Sequence, residues 1–150
     1  MQTSIIRNIN VNYAKLYKPE TNQFGNTQFD IQLEFTRDRI DELKGYGKIR
    51  ELPNGNFAMN ITLNEKNRKG EPNKVRVVDA NKLPFDKPIG NGSIANLIVL
   101  TYDAPRAYNG KKTILKAVQI TELVEYTPSE NVDFDLVVGE NNTQSPAQDF

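Results

Sequence analysis

The 150-residue sequence contains no cysteine and no histidine. Without cysteine there are no disulfides, no thiolate zinc sites and no cysteine nucleophile, and the chain suits a reducing compartment. Without histidine it also lacks the commonest general base near neutral pH and the other usual zinc ligand. A metal would have to rest on carboxylates, which favour magnesium or manganese. No acid pair has a diagnostic spacing: Asp30 and Glu34 share a strand face, and Asp79 and Asp103 follow strands. No apolar run is long enough to cross a bilayer, and Met1-Gln2-Thr3-Ser4-Ile5 has neither the basic nor the apolar part of a secretory signal. The Walker-type glycine loop is missing. Gly90-Asn91-Gly92 lacks the third glycine and the following helix of a dinucleotide fingerprint. These absences point away from catalysis, and neither an enzyme activity nor a cofactor nor a metal is expected.

What is present is a segregation of charge. The formal net charge is zero, with 19 basic and 19 acidic residues. Five of the acids, Glu130, Asp133, Asp135, Glu140 and Asp149, fall in residues 126–150, which hold no Lys or Arg. Residues 1–125 therefore hold all 19 cations against 14 acids, a body of +5 facing a tail of −5. A body of that sign suits a polyanionic partner, and the tail can mimic one. Without that partner, the same pattern describes a solvated body with a disordered end.

Period-two alternation dominates the body. Phe29, Ile31, Leu33 and Phe35 alternate with Asp30, Gln32 and Glu34, and Phe57, Met59, Ile61 and Leu63 repeat the pattern against Ala58, Asn60, Thr62 and Asn64. Each run reads as a half-buried strand. Ile9, Val11, Tyr13, Lys15 and Tyr17 are expected on one face of an earlier strand ending at Lys18-Pro19. Val75 and Val77 mark a short strand, 94–102 a long β-branched one and 113–124 the last. Residues 37–44, with Ile40 and Leu43 three apart, fit one helix capped by Thr36 and stopped at Gly45. Asn54-Gly55, Lys69-Gly70, Gly90-Asn91-Gly92 and Asn109-Gly110 punctuate these runs. About six strands with a helix after the second predict an all-β fold. The simplest is an OB-fold, a five- to six-stranded Greek-key barrel, with an immunoglobulin-like sandwich as the competing architecture. Periodicity stops at Tyr126, so residues 1–125 are read as the domain and 126–150 as a disordered acidic tail ending in Asp149-Phe150.

Three constellations combine rings with cations. Strand alternation puts Tyr13, Lys15 and Tyr17 on one face beside Lys18, a pattern in which bases stack on rings while ammonium groups meet phosphates. The same tyrosines could instead be core. Tyr102, Arg106, Tyr108, Lys111 and Lys112 cluster at a hairpin connection, where OB-folds carry loops that close over oligonucleotides. Lys66, Arg68, Lys69, Lys74 and Arg76 surround one turn and could track a phosphate backbone, or simply protect an edge strand.

The chain resembles the single-stranded DNA-binding proteins of short-tailed, T7-like phages. The likeness is carried by Tyr13-Ala14-Lys15-Leu16-Tyr17-Lys18-Pro19-Glu20, by Phe24-Gly25-Asn26 leading into Phe29-Asp30-Ile31-Gln32-Leu33, and by residues 75–79. It continues through Pro88-Ile89-Gly90-Asn91-Gly92-Ser93, Tyr102, residues 115–123 and the acidic end at Asp149-Phe150. The resemblance implies an OB-fold with a helix after the second strand, a homodimer, and binding to single-stranded DNA in phage replication and recombination within the infected host's cytoplasm. It also implies an acidic tail that competes with DNA for the groove and contacts the replicative DNA polymerase and helicase-primase. Tyr102 stands where that family stacks a base. The family's neighbouring Trp has no counterpart here, since Ala104 or Pro105 occupies the region and Tyr108 is the nearest ring. The helical segment is also much shorter. A phage structural or adaptor module whose barrel binds protein is the alternative function.

Overall fold

Ile6, Ile9, Val11 and Leu16 all point into one core, although their spacing fits no single strand period. They belong to β1 (Gln2–Thr21), and two bulges reconcile them. Asn8 (φ 57°) and Tyr13 (φ 50°) adopt left-handed backbone conformations, and ladder register shifts between Ile6 and Ile9 and between Asn12 and Lys15. An extra residue flips the side-chain phase. Each bulged N–H is taken by an asparagine side chain, Asn8 by Asn96 Oδ1 and Tyr13 by Asn91 Oδ1, both at 2.8 Å. The expected sharing of a face by Ile9, Val11, Tyr13, Lys15 and Tyr17 is thus corrected. Ile9 and Val11 are buried, whereas beyond the second bulge Ala14 and Leu16 turn inward and Tyr13, Lys15 and Tyr17 face out. The strand also runs past Pro19 to Thr21. Pro19 falls in a stretch of interrupted pairing between Lys15 and Glu20, so its missing N–H disturbs no ladder bond.

The computed structural model describes residues 1–125, and the expected tail lies outside the described residues. After β1 come β2 (Thr27–Phe35), a short helical segment, β3 (Arg50–Glu51), β4 (Phe57–Asn64), β5 (Arg76–Val78), β6 (Ser93–Asp103) and β7 (Lys111–Glu122). One sheet runs β3-β4-β2-β1-β6-β7-β5, and β4 also meets β7 in parallel at Thr62 and Ile114. That contact closes β1, β2, β4, β7 and β6 into a five-stranded barrel, an OB-fold, and rules out the sandwich. The strands number seven in place of six, because β3, at two residues too short to show alternation, pairs with β4 as an edge.

Ile31, Leu33, Met59, Ile61, Leu97, Val99, Leu115 and Val118 fill the barrel, each fully buried aliphatic side chain contributing about 1.5–3 kcal/mol relative to exposure. The helical segment is a 3-10 turn (Arg37–Arg39) leading into α1 (Ile40–Leu43), with Leu43 fully buried. Thr36 does not cap it as expected. Its hydroxyl donates to the Asp38 carboxylate, and the turn closes through Arg39 N–H to the Thr36 carbonyl at 3.1 Å. Arg39 binds Glu42 through two nitrogens and donates to the carbonyls of Arg7 (2.8 Å) and Asn8 (2.7 Å), which ties α1 to the first bulge. Gly90 is required by a close approach: a Cβ there would lie 2.4 Å from the Val124 carbonyl oxygen.

Candidate nucleic-acid interface

The connection from β4 to β5 carries the cations of residues 66–76, and of the other two sequence constellations it brings Tyr17 and Tyr102 alongside them. Asn67 shapes it, its Oδ1 accepting from the N–H groups of Lys69 (2.9 Å) and Glu71 (3.0 Å), while Asn73 Nδ2 donates to the Asn64 carbonyl. On one side lies a groove of about 850 Å3 whose lining includes Lys66, Arg68, Lys69, Lys116 and Tyr102. On the other lies a groove of about 840 Å3 lined by Tyr17, Lys74, Arg76, Lys82 and Phe85, among others. Asn73 lines both, so the two are neighbours along one track. The track carries seven cations against three acids, Glu71, Asp86 and Asp103. None of the seven is in an ion pair among the described residues, which leaves their charge available to a polyanion.

The remaining expected contacts sit around this track. Tyr17 is 46% exposed, and its hydroxyl donates to the Lys87 carbonyl at 2.8 Å. Burial, and secondarily the charge of Asp86, push this phenol up to about 12. Tyr13, Lys15 and Lys18 lie on the outer side of β1 and do not line the grooves. Tyr13 is 60% exposed, and Lys15 pairs with Glu20 at 3.2 Å. The reading of Tyr13 and Tyr17 as core is excluded by their exposure. Tyr102 is half-buried and opposes Lys112 across the β6–β7 ladder. Lys111 is held by Asp103 at 3.2 Å, and Arg106 is exposed in the turn that follows β6. The side chain of Tyr108 and the tail residues Glu130, Asp133, Asp135, Glu140, Asp149 and Phe150 lie outside what is described.

The outer face of β2 and β4, often used by OB-folds for oligonucleotides, has a different character. Asp30 accepts from Asn60 Nδ2 (2.9 Å), and Glu34 accepts from Asn12, Asn54 and Asn56. Hydrogen bonds from Asn56, then Asn54, outweigh partial burial and, with Asn12, hold the Glu34 carboxyl below its usual range. This face carries two carboxylates that hold the amides of Asn12, Asn54, Asn56 and Asn60, while Gln32 accepts from Arg50 at 3.4 Å. The cations of the track, unpaired among the described residues, lie on the 66–76 side instead.

Sequence reasoning passed over Phe24, Lys82, Phe85 and Lys116. Phe24 is 78% exposed at the tip of the β1–β2 turn, where Asn22 Oδ1 accepts from Phe24 N–H (2.9 Å) and Asn26 N–H (3.1 Å). Its signal was present: a solitary ring beside Gly25, between two strands. Lys116 and Phe85 gave none, because only the closed barrel shows which outward faces meet the grooves.

Among the described residues no three His, Cys, Asp or Glu side chains group to hold a metal, and no helix is long and apolar enough to cross a membrane. No protein-family model and no curated protein matches the chain. Solved structures do. The gp2.5 single-stranded DNA-binding protein encoded by bacteriophage T7 superposes with a TM-score of 0.61 at 15% identity, covering 90% of this chain and 99% of that one. The single-stranded DNA-binding protein of bacteriophage Enc34, in complex with single-stranded DNA, gives 0.59 at 14% identity, over 82% of this chain and 88% of that one. The chain has the fold of the single-stranded DNA-binding proteins of bacteriophages T7 and Enc34.

Proposed function

We propose that this protein binds single-stranded DNA without marked sequence preference and without catalysis, protecting single strands during phage DNA replication and recombination in the host cytoplasm. The observation that carries the reading is the cation-lined track joining Tyr17 to Tyr102 through Asn73, on a fold shared with proteins that bind such DNA. Its chemistry is dispersed positive charge interleaved with rings, and among the described residues no helix is long enough to read base edges in a major groove. Tyr13, Lys15, Lys18, Arg106, Tyr108, Lys111 and Lys112 extend the contact surface beyond the track that Tyr17 and Tyr102 mark, and Phe24 adds a ring at the β1–β2 turn. The protein acts as a homodimer. Its acidic tail, Glu130 to Phe150, competes with DNA for the cations and, once displaced, recruits the replicative polymerase and helicase-primase. Titration against single-stranded and duplex oligonucleotides tests the core of this reading: preferential, salt-sensitive binding to the single strand is expected, and tighter binding to duplex overturns it.

A further inference from the structure

After β5 the chain turns back on itself. Asp79 Oδ1 accepts from Asn81 N–H (2.8 Å) and Leu83 N–H (3.0 Å), Lys82 adopts φ 67°, and Phe85 N–H donates to the Val77 carbonyl at 3.0 Å. The returning segment lays Pro84 against Val78 and brings Phe85 to the side of β5. Tyr17 lines the same groove as Phe85, its rotation limited by its hydroxyl's bond to the Lys87 carbonyl. Both rings line the same cavity, and Leu16, Phe29, Val75 and Val77, all buried, lie beneath them. The rim is polar and of one dominant sign, with Lys74, Arg76 and Lys82 against Asp86.

An apolar floor, aromatic walls and a cationic rim match the two halves of a nucleotide, a flat base and its phosphates. We propose that this groove is a base slot, receiving one unstacked base of the bound strand between Tyr17 and Phe85 while Lys74, Arg76 and Lys82 hold the flanking phosphates. The inference rests on the single-stranded DNA reading and adds a location to it. Charge complementarity selects a nucleotide over an apolar peptide, and continuity through Asn73 lets the strand pass onward to Tyr102. The strand is then gripped by rings at two places, with the cations of 66–76 between them. The Tyr17 ring is held by its hydroxyl's hydrogen bond and the Phe85 ring by packing against the core, on a backbone tied to Val77, so little ordering entropy opposes insertion.

The test uses the full chain and single-stranded oligonucleotides carrying one 2-aminopurine, scanned along the strand, whose emission falls when the base stacks on a ring. With the unmodified protein, at least two separated positions are quenched. Phe85→Leu abolishes quenching at one of them and lowers affinity about tenfold, whereas Tyr102→Ala abolishes it at the other. Lys82→Glu, on an exposed turn, serves as a second probe independent of the groove wall. It weakens binding severalfold and makes the salt dependence shallower, by about 0.7 in the log–log slope for the one phosphate no longer neutralised. If Lys82→Glu and a folded Phe85→Leu both bind and quench as the unmodified chain does, the slot is wrong and the DNA reading stands. If the unmodified chain does not bind single-stranded DNA, both fall.

Discussion

The backbone N–H of Tyr13 donates to Asn91 Oδ1 at 2.8 Å, linking the second bulge of β1 to the turn before β6 across 78 positions of sequence. The bond compensates an unfavourable backbone state, since a left-handed conformation costs an L-residue roughly 1–2 kcal/mol. Tyr13→Gly relieves that strain at a conformational-entropy cost of about 0.5–1 kcal/mol. Denaturation should therefore show unchanged or higher stability, while single-stranded DNA binding weakens. Asn91→Ala should do the reverse to the fold and lower stability by about 1 kcal/mol, the usual value of one such bond. A large stability loss in Tyr13→Gly would show that the ring packs and does not serve as a contact.

Tyr102→Ala should leave the thermal midpoint nearly unchanged, because the ring is only half-buried at a strand end. Affinity for single-stranded DNA should fall by about 1–3 kcal/mol, the usual loss for a stacking ring. Fluorescence titration at fixed salt measures it, and equal affinity would remove Tyr102 from the interface.

Salt titrations should separate free cations from paired ones. Arg68→Ala with Lys69→Ala should flatten the log–log slope by about 0.7 for each phosphate left without its cation. Lys111 is held by Asp103 at 3.2 Å, so Asp103→Asn should tighten binding by releasing it. A weaker-binding Asp103→Asn variant would mean that the carboxylate positions the lysine.

Glu34 sets a pH dependence. Its folded carboxyl is lowered by amide hydrogen bonds from Asn56, then Asn54, with Asn12 adding to them. The stability gained is therefore fully present above the ordinary carboxylate value and fades as pH falls through the lower folded value. Glu34→Gln should flatten that part of the acid limb in denaturation measured from neutral to acidic pH. An identical acid limb would show that the network is worth the same with the carboxyl protonated.

Deleting residues 127–150 should tighten binding to single-stranded DNA, most at low ionic strength, where screening between acids and cations is weakest. The same truncation should abolish capture of the replicative polymerase. Equal or weaker binding at low salt would end the competition idea.

The barrel was legible because its strands place their large apolar residues on one face, even though Gln32 and Ala58 on the other are also buried. Phe29 to Phe35 and Phe57 to Leu63 alternate without interruption and pair residue for residue, Phe29 with Leu63 and Phe35 with Phe57. β1 was half legible: its residues named a strand, but the bulges at Asn8 and Tyr13 depend on side chains of Asn91 and Asn96, far along the chain, so local pattern could not place the phase change. Whether Tyr13 and Tyr17 face out or belong to the core was not decidable from the pattern, because the phase set by Ile9 and Val11 changes at the bulge that follows them. The grooves were legible in five of their seven cations, Lys82 and Lys116 being the exceptions, and illegible in their walls. Phe85 owes its place to the turn at Asp79 and to the Val77 carbonyl, a tertiary arrangement without a local signature.

The barrel is closed between β4 and β7 by a single ladder pair, Thr62 with Ile114, whereas β6 and β7 pair along nearly their whole length. Leu63, Asn64, Ile114 and Lys116 flank that seam, and all four line the groove that holds Tyr102. A strand lying there crosses the joint where the cylinder is most easily prised apart. Nucleic acid would then act as a clasp across the barrel, and thermal breathing of the empty protein would begin at the place its ligand covers.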